Sequence, residues 1–307
     1  MSLAGFILRR VLIIVPTLWV IATLTFFLIR AAPGGPFQAE RDIPAAAKEQ
    51  LLHKYGLDQP LHRQYVHFLV NAARLDFGPS YKYPQRQVRE IILEALPVSA
   101  ELGGWALLLA ILVGVPIGVI AAVRHNSTVD YASMGIALAG VSIPNFVLGP
   151  VLVLGLALGI YLLPPALWHG PESRVLPVLT LSTAYVAYVA RLARGGMLEV
   201  LHQDYIRTAR AKGLAEPVVV MKHAFRLGIL PVVSYIGPAA ARILMGSIVV
   251  ESIFSVPGLG RYLVNAAFNR DYTLVLGEVL FYAGFLMVLN LAIDIAYTRL
   301  DPRVELA

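Results

Sequence analysis

Residues 6–29 read FILRRVLIIVPTLWVIATLTFFLI, and the class of the whole chain turns on whether this stretch crosses a membrane. Arg9 and Arg10 precede an apolar run that continues to Ile29. A secretory leader has a core of roughly 7–15 apolar residues followed by a small-residue cleavage site. This run is longer, and its downstream flank is AAPGGP, which predicts an uncleaved first span with the N-terminus in the cytoplasm. The rest of the chain agrees: 58% of its 307 residues are hydrophobic and 14% are charged, with a mean hydropathy of +0.70. A soluble domain carries about 25% charged residues. The expected class is therefore an all-α integral membrane protein.

Five more apolar segments follow, at residues 102–123, 131–163, 175–197, 232–256 and 274–297. Each reaches the roughly 20 residues that cross a hydrocarbon core. The 131–163 segment contains Pro144 and Pro150 but no polar loop, and is read as one kinked, tilted span. Six spans place both termini on one side. Residues 31–97 form a polar insertion with apolar residues at helical spacing (Leu52 and Tyr55, then Tyr65, Phe68 and Leu69), expected to be a small helical lobe outside the membrane. The domain reading is thus a tail and first span at 1–30, an external insertion at 31–97, and a membrane core at 98–307 containing a cytoplasmic loop at 198–231.

Cations support this orientation. One side collects Arg9, Arg10, Arg124, Arg191, Arg194, Arg207, Arg210, Lys212, Lys222, Arg226, Arg299 and Arg303. The two short loops on the other side hold only Arg174, Arg261 and Arg270, the cytoplasmic excess that orients membrane proteins. The net charge of +6 is accounted for this way without nucleic acid. The chain has no Cys, which excludes disulfides, thiolate chemistry and cysteine-built metal sites.

Within the 198–231 loop, residues 204–217 read DYIRTARAKGLAEP. Asp204 is a candidate N-cap, Gly213 can supply the left-handed residue that ends a helix, and Pro217 forbids continuation. The result is a helix of about two turns, near 12 Å long. Alone in water such a helix is marginal, so it needs a surface to lie against. Ala209 and Gly213, four apart, leave a flank without bulk. Tyr205, Ile206 and Leu214 are apolar pegs, and Arg207, Arg210 and Lys212 surround them with positive charge. These features suit a peg for an acidic-edged socket, and equally a linker helix beside anionic lipid.

The stretch YIRTARAKGL resembles the coupling-loop motif of bacterial ABC importer permeases, with Ala209 and Gly213 as its small residue, three-residue gap and Gly. Arg207 and Thr208 stand where the general motif has Glu-Ala, and Pro231 lies farther from Gly213 than the motif's Leu-Pro. Both departures are typical of the peptide-transporter branch. KYGLDQPL (54–61), LDFGPS (75–80), KHAFR (222–226), GSIVVESIFSVPGLG (246–260), NRDY (269–272) and LDPR (300–303) look like the same branch, in order along nearly the whole chain. APGGPF (32–37) and SYIGP (234–238) are similar to the oligopeptide B-type subunit.

The resemblance implies a type I importer permease fold and a heterodimer with a second permease. It also implies two cytosolic ATPases that hold ATP and Mg, an extracytoplasmic solute-binding protein, and a peptide substrate, in a bacterial cytoplasmic membrane. The same machinery importing dipeptides, nickel or another small solute is the nearest alternative. The chain has no GxxxxGK[ST] phosphate cradle, no HExxH and no GxSxG elbow, so no catalytic, cofactor or metal residues are expected in it. A secondary transporter or channel is the alternative of another class, but no inverted repeat is evident.

Ionisable groups within spans complete the candidates. Glu251, beside the Pro257-Gly258-Leu259-Gly260 turn, reads as a gate or as a structural anchor. Asn290 and Asp294 could line a path, although pairing of Asp294 with Arg299 or Arg191 is the simpler expectation.

Overall fold

The computed structural model describes residues 3–32, 34–37, 45–83 and 85–300. Arg303 and all but the first residue of the LDPR tag lie outside them, as do the side chain of Arg299 and Pro33 of APGGPF. The described residues form helices in the order α1 (Leu3–Ala31), α2 (Ala45–Lys54), α3 (Leu61–Ala73), α4 (Val88–Val123), α5 (Thr128–Ser142), α6 (Asn145–Leu152), α7 (Glu172–Leu201) and α8 (Asp204–Ala211). They continue with α9 (Glu216–Val218), α10 (Phe225–Gly228), α11 (Leu230–Ile243), α12 (Ile248–Ile253), α13 (Leu259–Phe268) and α14 (Tyr272–Leu300). Two π-helical segments, Val153–Gly159 and Val219–Ala224, interrupt the series. Among the described residues four helices are long and apolar enough to cross a membrane, and up to six spans result when each of two bent pairs counts as one.

Both bent pairs depart from the expected spans. The 131–163 segment turns by 101° between α5 and α6. Pro144 is the cause: it lacks an N–H and forces the preceding Ile143 into extended backbone, with ψ at 115°. Pro150 lies inside α6 without breaking it. The expected 232–256 span is not one helix. α11 stops at Ile243, Gly246 takes a φ of +85°, and Ser247 caps α12 by accepting the Val250 N–H at 3.3 Å. The second bent pair is instead 216–228 with α11, angled by 47°, so part of the stretch read as loop supplies apolar helix.

The chain divides into two compact units, Met1–Val98 with Gly258–Ala307, and Ser99–Pro257. In the first, α1 and α14 run antiparallel. Arg10 pairs with Asp294 at 2.7 Å near one end, and Arg30 lies 5.4 Å from the Tyr272 ring centre near the other. Val88, Ile91 and Ile92 of α4 pack with Leu259, Ala266 and Leu274 in its core. Asp271 is fully buried and caps α14. Its carboxylate accepts the N–H groups of Tyr81, Lys82 and Leu274, each at 3.1 Å, and the Ser80 hydroxyl. Those bonds tie the 80–82 loop to the start of α14 and satisfy a charge that burial would otherwise penalise heavily.

In the second unit α7 is the central element, with half of its candidate membrane window buried. Gly196 lets α7 meet the Gly228 carbonyl of α10, where any Cβ would collide with that oxygen.

Candidate functional site: a two-turn docking helix

α8 follows α7 after a single turn and has the caps its sequence encodes, with one difference. Gln203 is the N-cap, with extended backbone and no side-chain cap hydrogen bond, and Asp204 is the first helical residue. The Asp204 carboxylate remains useful there, because a negative charge in the first turn favours the helix dipole. It also sits 3.4 Å from Arg207, in a pair exposed on both sides. At the other end Gly213 adopts a φ of +78°. Its N–H reaches the Arg210 carbonyl at 2.9 Å, while the Leu214 N–H reaches that of Ala209 at 3.4 Å. This is the paired closure that ends a helix on a left-handed residue.

The surface on which α8 lies belongs to the same chain. Ile206 is fully buried and Ala209 nearly so, packed with Met197 and Leu201 of α7, Ala122 of α4 and Val219, Val220 and Ala224 of the second π segment. The sequence reading of Ala209 as part of an open flank is therefore corrected: its small side chain lets α8 approach its own scaffold. The outward face carries Tyr205, Arg207, Lys212, Gly213 and Leu214, all exposed. Among the described residues, chain neighbours aside, nothing lies within 4 Å of the position a Gly213 Cβ would take. Arg210 is also exposed but engaged: its guanidinium grips Glu216 through Nε at 3.0 Å and Nη2 at 2.6 Å, which raises its already high pKa further. That fork braces the 212–215 turn.

The remaining candidates do not assemble with α8. Glu251 is fully buried in α12 and accepts the Ser99 hydroxyl at 2.8 Å, the geometry of an anchor. Pro257 is exposed, while Gly258 is buried as the N-cap of α13, in extended backbone with φ −99° and ψ 176°, and Gly260 is buried within α13. The left-handed residue of this region is Ser255, with φ +54°. Asn290 is half-buried in α14. Asp294 pairs with Arg10, a partner not anticipated from the sequence, and so has a structural assignment.

A second polar centre went unread in the sequence. Asp130, fully buried, is gripped by Arg194 at 2.6 and 2.7 Å, with His125 at 3.4 Å. The spacing of Ser127 and Asp130 was the available signal. Ser127 caps α5 by accepting the Asp130 N–H at 3.3 Å, and the Asp130 carboxylate accepts the Asn126 N–H at 3.0 Å.

Comparison with known proteins identifies the family. Residues 114–306 match the family described as binding-protein-dependent transport system inner membrane component, and residues 3–103 match the N-terminal membrane component of such systems. The chain is 44% identical over 302 residues to the oligopeptide transport system permease protein OppB of Escherichia coli, covering 98% of this chain and 99% of the relative. It is 42% identical over 304 residues to the dipeptide transport system permease protein DppB of Bacillus subtilis, covering 99% of each. An all-α chain with apolar helices of spanning length, matched over nearly its whole length by peptide permeases, belongs to the binding-protein-dependent transport system inner membrane component family and has its type I permease fold.

Proposed function

We propose that the chain is the membrane-spanning subunit of an ATP-driven importer that translocates oligopeptides delivered by a solute-binding protein. It pairs with a second permease and docks through α8 on one of two cytosolic ATPases. ATP and Mg belong to those ATPases, and this subunit performs no hydrolysis itself. Both termini face the cytoplasm of a bacterial cell. The observation that carries the reading is the two-faced burial of α8: Ile206 and Ala209 hold it to α4, α7 and the second π segment, while its opposite face is free for a partner.

A peg fixed rigidly to two long helices can pass a displacement to them. Transport then requires that ATPase closure favour one arrangement of those helices by differential contact. Arg207 and Lys212 supply exposed cations for acidic groups on the ATPase. Glu251 serves as an anchor for α4. Dipeptides are the closest second substrate, favoured by the dipeptide relative of nearly equal similarity.

Affinity purification of the chain is expected to bring a second permease and ATPases with it. The purified assembly in vesicles should accumulate peptide with ATP present and ion gradients collapsed. Recovery as an active homodimer without ATPase, or uptake that follows an ion gradient instead of ATP, would overturn the proposal.

The Arg210–Glu216 fork gives a finer prediction. Its members are 41% and 47% exposed, so it contributes at most about 1 kcal/mol. Arg210→Glu is expected to reduce peptide uptake by setting two carboxylates face to face. Adding Glu216→Arg should restore it. A double variant as impaired as the single one would assign the Arg210 cation to the ATPase instead of the brace.

A further inference from the structure

We infer that the first unit holds one anionic phospholipid, its phosphate in a cationic pocket beside Arg30 and Lys54 and an acyl chain in the apolar groove that shares Phe77 with that pocket. The pocket has a volume of about 410 Å³. It is bounded by the end of α1, the α2–α3 turn, α3 and the start of α14. Arg30 and Lys54 bring positive charge to its wall, with the imidazoles of His53 and His67. Among the described lining residues the one acid, Asp76, accepts the N–H of Gly78 at 3.0 Å in its own loop.

Arg30 is half-buried. Its guanidinium lies 3.6 Å from the Phe26 ring centre and donates to the Gln64 side-chain oxygen at 3.2 and 3.3 Å and the Phe26 carbonyl at 3.4 Å. No carboxylate among the described residues pairs with it. A half-buried guanidinium facing only neutral acceptors at a pocket wall suits a phosphate, which its planar fork can bind through two hydrogen bonds. Burial pushes the Tyr81 hydroxyl up, which keeps it a neutral donor in the same lining.

Two independent features identify the anion as a lipid. The first is the groove, about 540 Å³, lined by Leu18 and Trp19 of α1, Leu69 of α3, and Phe281 and Phe285 of α14. Gly284 keeps it open, since the nearest atoms to a Cβ there would be those of Leu18 at 3.9 Å. The second is α3, whose Tyr65 and Phe68 pack on Phe26 of α1 while Val66 and Val70, one turn apart on its outward side, stay exposed. An exposed apolar pair on a helix held against α1 suits contact with lipid. Pocket and groove therefore meet where headgroups give way to hydrocarbon.

The test uses the full-length chain purified in detergent, stripped of lipid, and offered phosphatidylglycerol and phosphatidylcholine with identical acyl chains. Bound lipid is counted by native mass spectrometry. Wild type should retain about one phosphatidylglycerol and prefer it roughly tenfold. Lys54→Gln, and Arg30→Gln with Lys54→Gln, should lose the preference, while Arg30→Lys should keep part of it. Gly284→Leu, which fills the groove, should lose the lipid while leaving the pocket's affinity for glycerol phosphate unchanged. If the Arg30 variant fails to fold, Lys54→Gln on the exposed lobe and Gly284→Leu still decide the matter. Equal retention of the two lipids by wild type, or unchanged retention by Gly284→Leu, would overturn the inference. Glycerol phosphate binding as tightly as the lipid would reduce the pocket to a free-anion site.

Discussion

Gly213→Asp is expected to abolish peptide uptake while the protein inserts in the membrane at normal levels. The residue sits at a φ of +78°, where a side chain costs about 1 kcal/mol. A carboxylate at a helix C-terminus adds roughly 0.3–1 kcal/mol of unfavourable dipole interaction. Among the described residues there is nothing to clash with, because the space beyond Gly213 is open to 4 Å. Folding therefore loses only about 1–2 kcal/mol by these two effects, too little to unfold a chain of this size. A complete loss of uptake would then point to the outer face, as the proposed docking of α8 on an ATPase requires. Gly213→Asn separates the contributions, since Asn tolerates the left-handed region and carries no charge. It should bind the ATPase more weakly than wild type and more tightly than Gly213→Asp. Normal uptake by Gly213→Asp at normal expression would remove α8 from the coupling pathway.

The sequence conveyed the four unbroken apolar spans, the length of α8 and its Gly213 stop, because these depend on local composition and backbone preference. What escaped it depends on distant partners. Asp204 and Gln203 compete for one cap position, and only the path of the chain leaving α7 decides for Gln203. Ala209 offers a small flank whichever way it faces, and the turn after Leu201 directs it to the scaffold. The residues of the fifth apolar stretch are continuous in hydropathy, so the stop at Ile243 shows only in the positive φ at Gly246 and the Ser247 cap. Pro144 was visible as a proline, but a tolerated kink and a 101° turn look alike until the packing of α6 against α7 and α12 is known. The partner of Asp294 is 284 positions away in sequence, beyond reach of any spacing argument.

The largest effect expected on stability comes from another long-range pair. Arg194→Ala removes both nitrogens that hold Asp130 at 2.6 and 2.7 Å, leaving a carboxylate whose side chain is 1% exposed. The Asn126 N–H and His125 remain, but neither replaces the guanidinium charge. Stripping one partner from a fully buried ion pair costs about 3–5 kcal/mol. Here the guanidinium is itself 26% exposed and its removal admits water to Asp130, so about 2–3 kcal/mol is expected. For a chain of this length that corresponds to a fall of roughly 3–5 °C in the unfolding midpoint. The midpoint can be read by fluorescence-detected size exclusion of the detergent-solubilised protein. Arg194→Lys should recover only part, because an ammonium cannot reproduce the two-nitrogen grip. Replacing both residues with apolar ones of similar volume, Asp130→Leu with Arg194→Met, should be milder than Arg194→Ala, because no charge then remains buried. α5 and α7 pack closely along their length, and the pair ties the first turn of α5 to the C-terminal half of α7. A double variant less stable than Arg194→Ala would mean that the pair itself, and not relief from an orphaned charge, secures α5 to α7.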